Sequence, residues 1–304
     1  MTTGAIRIGT CSWTESEGGE AGTFGVESPH DRLARYAERF DTVEVDSSYY
    51  ALPAPSMIRA WLERTPPGFL FHVKAYGALT GHGIDPSRLP PQLKSLAVSP
   101  SLLPEAAMLA NSSADRELVR ISDPVALREV ADAFCEVLQP LREAGKLGFI
   151  VFQYPPWFTC KSANRDYVLY CQDMMKAFPI AVEFRHGSWL TTPRAPGTLS
   201  FLRENRISYI ACDEPQYGNL TTVPFLPDLT TKVAYLRLHG RDSEGWAGHA
   251  LSREMYSYGE NELRLFANHA TRLARKARTV FVMFANCHGG HGLRNALTMK
   301  TISN

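Results

Sequence analysis

Val233-Ala234-Tyr235-Leu236-Arg237-Leu238-His239 begins as an apolar β-rich run and ends with two polar groups placed around one leucine. Side chains alternate between the faces of a strand, so Arg237 and His239 share one face and Leu238 takes the other. A strand covered on both faces is normally apolar throughout, because a buried charge costs several kcal/mol unless it is paired. The same kind of run recurs along the chain, at 6–9, 42–46, 69–75, 147–153, 180–184, 208–213, 233–239 and 279–286. Between these runs the apolar spacing is helical: Leu33, Tyr36, Ala37, Phe40; then Leu127, Val130, Phe134, Val137, Leu138, Leu141; then Leu263, Phe266, Ala270, Leu273, Ala274, Ala277. Alternating strands and helices imply a parallel sheet with right-handed crossovers, and eight repeats favour closure into a (β/α)8 TIM-type barrel, a single domain over residues 1–304. No Gly-x-Gly-x-x-Gly follows the first run, which weighs against a dinucleotide-binding sheet.

Two stretches break the alternation. Residues 77–122, between strands three and four, form an insertion rich in Pro, Ser and Leu, expected as either a lid over the barrel mouth or an irregular solvated excursion. A helix over 123–144 follows it, with Asp123 as N-cap and Pro124 at the first helical position. Residues 214–231 contain three prolines and little helical pattern, so the sixth helix should be short or absent.

The composition narrows the partners. Thirty-two Lys and Arg against 31 Asp and Glu leave a net charge of +1, which provides no global field for nucleic acid or an anionic membrane. A nucleic-acid partner would require a local basic stripe that the sequence does not display. No stretch approaches 18 uninterrupted apolar residues and no leader pattern opens the chain, so the expected setting is cytoplasmic, without a membrane partner. Six cysteines without a Cys-x-x-Cys pair argue for reduced thiols rather than a disulfide framework or structural zinc. Nothing here sets an oligomeric state.

In a barrel of this kind catalytic groups lie at the C-terminal ends of the strands. Glu44 and Asp46, His72 and Lys74, Glu183 and Arg185, Arg237 and His239 each place two polar groups on one face there. Gln153, Asp213 and Asn286 end strands four, six and eight, and Ser12 and Trp13 lie just beyond strand one. One reading is a plug of ion pairs, such as Glu44 with Arg237 or Glu183 with Arg185. The other is a polar active site, favoured by so many charges converging on one mouth. The last two loops, His239-Gly240-Arg241 and His288-Gly289-Gly290-His291-Gly292-Leu293-Arg294, are glycine-rich and lie where barrel enzymes often hold phosphate, with Arg241 or Arg294 able to add charge-assisted bonds. His288-x-x-His291 has ligand spacing but no certain carboxylate partner. Residues 152–158, Phe-Gln-Tyr-Pro-Pro-Trp-Phe, could form an aromatic rim, and Cys11, Cys212 and Cys287 fall near the mouth without a sign of thiol activation.

These residues resemble the family called domain of unknown function 72, or YecE-like, from strand one to the last helix. The matching pieces are Gly9-Thr10-Cys11-Ser12-Trp13, Val43-Glu44-Val45-Asp46-Ser47-Ser48-Tyr49-Tyr50-Ala51-Leu52-Pro53, Phe71-His72-Val73-Lys74-Ala75, Phe152-Gln153-Tyr154-Pro155-Pro156, Val182-Glu183-Phe184-Arg185-His186-Gly187-Ser188-Trp189, Leu236-Arg237-Leu238-His239-Gly240-Arg241 and Tyr256-Ser257-Tyr258. The resemblance implies a (β/α)8 barrel and no settled activity. The chain departs from the family pattern at Thr80-Gly81-His82, at Glu44-Val45-Asp46 and at Phe284-Ala285-Asn286, and its insertion is long.

The expected function is an enzyme, a hydrolase, lyase or isomerase, using acid–base chemistry on a small anionic substrate, phosphorylated or nucleotide-like. Lys74, Arg185 and Arg237 would hold the anion, Glu183 would be the general base, and His239 or Glu44 the acid. Asp46, His72, Gln153, Asp213, Arg241, Asn286, Gly289, Gly290 and Trp13 complete the expected substrate contacts. This reading needs no cofactor. The alternative places a divalent metal among Glu44, Glu183, Asp213 and His239, as in a phosphodiesterase or sugar isomerase. A third reading is a non-catalytic binder or scaffold.

Overall fold

The computed structural model describes residues 3–14, 31–89, 94, 118–243 and 255–303. Eight parallel strands lie in one sheet: β1 (Ala5–Thr10), β2 (Thr42–Val45), β3 (Leu70–Lys74), β4 (Leu147–Gln153), β5 (Ile180–Glu183), β6 (Ser208–Asp213), β7 (Val233–Leu238) and β8 (Thr279–Phe284). Their order, β1-β8-β7-β6-β5-β4-β3-β2, is that of a (β/α)8 barrel. Around it run α1 (Arg32–Ala37), α2 (Pro55–Glu63), α3 (Pro124–Glu143), α4 (Ser162–Met175), α5 (Ala195–Glu204), α6 (Glu260–Ala274) and α7 (His291–Ser303). No helix forms between β6 and β7, because Pro215, Pro224 and Pro227 each lack the backbone N–H that a helix interior needs.

Local chemistry sets the helix ends. The Asp123 carboxylate accepts from Ala126 N at 2.8 Å and Pro124 occupies the first turn of α3, where its missing N–H has no partner to lose. Leu127, Val130, Phe134, Leu138 and Leu141 of that helix are buried, each contributing roughly 1.5–3 kcal/mol by leaving water. Glu262 reaches back to Gly259 N at 2.9 Å to start α6.

The sheet ladder stops at the β1–β2 seam. There the Tyr36 hydroxyl donates to Thr42 O at 3.0 Å while accepting from Thr10 N at 2.9 Å, so one buried phenol bridges the two strands. Gly9 permits this approach, since a Cβ at that position would lie 2.4 Å from Thr42 O.

The insertion leaves β3 through a 3-10 turn over Gly77–Thr80 and is pinned by an antiparallel bridge between Ile84 and Val119. Most of the stretch expected as a lid, residues 90–93 and 95–117, lies outside the described residues. Among the described residues no helix is long and apolar enough to cross a membrane.

Candidate active site

The barrel interior is layered. His72, Phe149, Tyr235 and Phe281 form a lower layer of rings, with His72 centroids 5.8, 5.0 and 4.4 Å from its three neighbours. His72 is completely buried and both ring nitrogens lack hydrogen-bond partners. Burial holds it neutral, its pKa pushed down to about 3. It therefore does not share the mouth with Lys74 as the sequence pattern suggested: two residues along a strand is about 6.6 Å, which places it one layer deeper.

Above that layer lies a chain of alternating charges. Arg237, at the end of β7, is 1% exposed. Its Nη2 lies 2.8 Å from Glu44 Oε1 and 3.1 Å from Asp46 Oδ1, and its Nη1 lies 2.8 Å from Glu183 Oε2. The other Glu183 oxygen is crowded by Gln153 Nε2 at 2.7 Å, Arg185 Nη1 at 3.0 Å and His239 Nε2 at 3.0 Å. Arg185 Nη2 in turn meets Glu214 Oε2 at 3.0 Å. At the other end Lys74 Nζ lies 3.7 Å from Asp46 Oδ1. The sequence Lys74, Asp46, Arg237, Glu183, Arg185, Glu214 thus crosses the mouth with alternating sign, and Glu44 flanks Arg237 from below, where it also accepts from the Tyr235 hydroxyl at 2.7 Å.

This arrangement separates the carboxyl groups into two kinds. Glu183, although desolvated, is held well below the usual carboxylate range by Arg237, His239 and Arg185. Asp46 is likewise lowered by Lys74 and Arg237, against its own burial. Glu44 goes the other way: burial raises its pKa to about 7, Arg237 only partly opposes this, and the charge of Asp46 adds to it. Glu214 is raised by burial to about 7 as well, in spite of Arg185. His239 is lowered to about 4 by burial, with Glu183 opposing. Its Nε2 sits 3.0 Å from both a guanidinium donor and a carboxylate acceptor, so its proton position depends on which neighbour it serves.

Several expected site residues take other places. Glu183, expected as the base, has no exposed surface and both oxygens in use, which makes it the hub of the ion network. Asp213 pairs with Arg241 at 2.7 Å and accepts from the Tyr258 hydroxyl at 2.8 Å, away from Glu183. Arg241 is further held by Glu262 at 3.0 Å, so its charge is spent within that cluster. Asn286 donates to Tyr256 O at 2.7 Å and to Asn295 Oδ1 at 2.9 Å, fastening α7 beneath the loop before α6. Gly289 and Gly290 have positive φ, 64° and 72°, and form a tight turn into α7 whose carbonyl at Gly289 accepts from Arg294 at 3.0 Å. Trp13 is half-buried, its ring edge-on to Trp61 and Phe71 at 5.7 and 6.5 Å.

The four residues considered for a metal do not converge. Asp213 belongs to the Arg241 cluster, and Arg237 stands between Glu44 and Glu183. Two other donor groups are compact, Glu183 with Cys212 and His239, and Glu44 with Cys11 and Asp46. Arg237 and Arg185 already occupy the carboxylate oxygens that a divalent cation would need, so neither donor group suits one.

Residues that strand reading missed include Glu214, Tyr235 and Arg120. Parity held the signal for one of them: Glu214 meets Arg185 at 3.0 Å, whereas Asp213 beside it turns to Arg241 at 2.7 Å. Arg120 lies in the insertion, where no strand periodicity applies.

The chain is similar along nearly its full length to one family. The model of the family described as "Protein of unknown function DUF72" matches residues 7–304. The UPF0759 protein YunF of Bacillus subtilis (strain 168) is 31% identical over 274 residues, spanning 88% of this chain and 85% of YunF. A solved DUF72 family protein from Enterococcus faecalis V583 superposes with a TM-score of 0.76 at 27% identity, covering 98% of this chain and 95% of that one. Another from Thermotoga maritima MSB8 gives the same TM-score and identity over 98% of each chain.

Proposed function

Because the chain belongs to the DUF72 family, whose description names no reaction, we propose its function from the barrel mouth itself: an enzyme using acid–base chemistry on a small anionic substrate, phosphorylated or nucleotide-like. The observation that carries this reading is the pair Glu44 and Asp46, two residues apart at the end of β2, with one carboxyl raised to about 7 and the other lowered. Groups whose environments drive their pKa values apart are suited to opposite roles. Glu44, which keeps its proton near neutrality but has no exposed surface, is the acid behind Asp46 and passes its proton through that carboxylate, which shares the Arg237 guanidinium with it. Asp46, ionised and 37% exposed at its side chain, is the base that a substrate can reach. Lys74 beside it stabilises negative charge that develops during proton transfer.

Charge balance supports an anionic substrate. With Glu44 and Glu214 protonated, the cations Lys74, Arg185 and Arg237 face only Asp46 and Glu183 as ionised carboxylates, an excess of one positive charge. An arriving anion favours that protonation state, and so loads the acid as it binds.

Phosphorylated sugars and nucleotides should be screened for thermal stabilisation and turnover with wild type, Glu44→Gln and Asp46→Asn. Binding is expected in all three proteins and turnover in wild type alone. Undiminished turnover in both variants would overturn the assignment.

A further inference from the structure

The cations of the mouth differ in how far they are neutralised. Arg237 meets three carboxylates, Arg185 two and Arg241 two, while Lys74 has Asp46 at 3.7 Å. Arg120 meets none among the described residues, and its Nε is shut from solvent without a hydrogen-bond partner. Its position is fixed by the insertion's return: Ile84 N donates to Val119 O at 2.8 Å and Val119 N to Ile84 O at 2.9 Å, which sets Arg120 beside the segment that leaves β3.

That segment carries His82. Its ring lies edge-on to Tyr49 and Trp157 at 5.1 and 5.6 Å, and its Nδ1 is 2.8 Å from Thr80 Oγ1. The Lys74 ammonium sits 4.9 Å over the same Tyr49 ring. Burial, reinforced by the charges of Lys74 and Arg120, holds His82 neutral with a pKa of about 3. Two cations therefore bear on one uncharged imidazole, with Asp46 as the carboxylate partner of Lys74 and no counter-ion for Arg120 among the described residues.

A partly buried guanidinium without a counter-ion is costly, and burial already lowers the Arg120 pKa. The ligand that relieves this is an oxyanion, because two oxygens of a phosphate or carboxylate match the parallel N–H groups of the guanidinium fork. We propose that Arg120 is the oxyanion-binding residue of this mouth and takes the phosphate or carboxylate group of the substrate. Arg185 and Arg237 are poorer candidates, since each would have to surrender a carboxylate at 2.8–3.0 Å. Lys74 touches Asp46 on one side and shares the Tyr49 ring with His82 on the other, and the Ile84–Val119 bridge brings Arg120 to the segment that carries His82, so the anionic end of the substrate binds on the β3 side of the mouth. This assignment rests on the acid–base reading for its catalytic meaning, while anion binding by Arg120 rests on its buried, unpartnered Nε and on the Ile84–Val119 bridge that positions it.

Titration calorimetry and thermal shift with inorganic phosphate and with succinate, against sodium chloride of equal ionic strength, test it on wild type, Arg120→Met, Arg120→Lys and Glu44→Gln. Phosphate, succinate or both should bind wild type and Glu44→Gln alike. Arg120→Met should weaken binding at least tenfold, and Arg120→Lys should fall between, with unchanged circular dichroism and denaturation midpoints confirming that the variants fold. A preference for succinate that depends on Arg120 identifies the group as a carboxylate, and a preference for phosphate identifies a phosphoester. Equal binding by wild type and Arg120→Met, or no binding of either anion to wild type, overturns the proposal. Arg120-dependent binding with no turnover of any screened anion by wild type upholds the site and counts against the acid–base reading alone.

Discussion

Arg237 and Glu183 meet at 2.8 Å with 1% and 0% of their side chains exposed, and this buried pair stands between Glu44 and the remainder of the charged chain across the mouth. A pair of this kind owes its retention to the geometry it imposes more than to net stability, because desolvation offsets much of the attraction. Here it holds Glu44 and Asp46 at fixed positions on one guanidinium.

Removing the cation should therefore cost more than neutralising one anion. Arg237→Met leaves Glu44, Asp46 and Glu183 facing one another in a dry site, and a loss of about 3–5 kcal/mol is expected in urea denaturation. Glu183→Gln keeps hydrogen-bonding atoms in place and should cost less. A larger loss in Glu183→Gln than in Arg237→Met would contradict this picture of the network.

Stability should depend on pH with a maximum inside the acid-to-neutral range. Glu183 and Asp46 have lowered pKa values, so their contribution is present above their unfolded pKa values, near 4, and disappears as pH falls through the folded values. Glu44 and Glu214 are raised to about 7, so their folded forms bind protons that the unfolded chain releases above about 4.5. Their contribution is therefore complete below about 4.5 and lost as pH rises towards 7. Melting temperature against pH should peak between these limits, and Glu44→Gln should flatten its alkaline side.

Catalysis should report the same pair. With a turned-over substrate, the pH–rate profile should fall on the alkaline side near 7 as Glu44 loses its proton. Glu44→Gln should remove that limb and lower kcat by about 10²–10⁴-fold, with KM little changed. An alkaline limb that persists in Glu44→Gln would assign it to another group.

The β1–β2 seam gives a structural test remote from chemistry. Tyr36→Phe removes the hydroxyl that serves both Thr10 N and Thr42 O, leaving two buried backbone groups without a partner. A loss of about 1–3 kcal/mol is expected. Hydrogen exchange should accelerate first at β1 and β2, and uniform acceleration across the barrel would argue against a local seam.

Much of this architecture was legible in one dimension. Strand and helix periods depend only on neighbours in sequence, so eight alternations and the polar ends of β2, β3, β5 and β7 could be read directly, as could the missing helix after β6. The pairs Glu44–Arg237 and Glu183–Arg185 were also legible as candidates, because their residue types demanded partners. Parity misled at Asp213, whose neighbours Cys212 and Glu214 face the network instead, and at His72, because a shared face does not set depth along the barrel.

The sequence by itself determined which side chains could be charged and buried together. Only the tertiary structure decided which of them shed charge and which kept it. Glu44 and Arg237 are 193 residues apart and meet because the barrel closes. His72 sits below the mouth because strand register sets depth. Arg120 reaches the β3 loop through one bridge between Ile84 and Val119. Protonation follows from such distances and from burial, which arise when the chain closes on itself and leave no mark in the local order of residues.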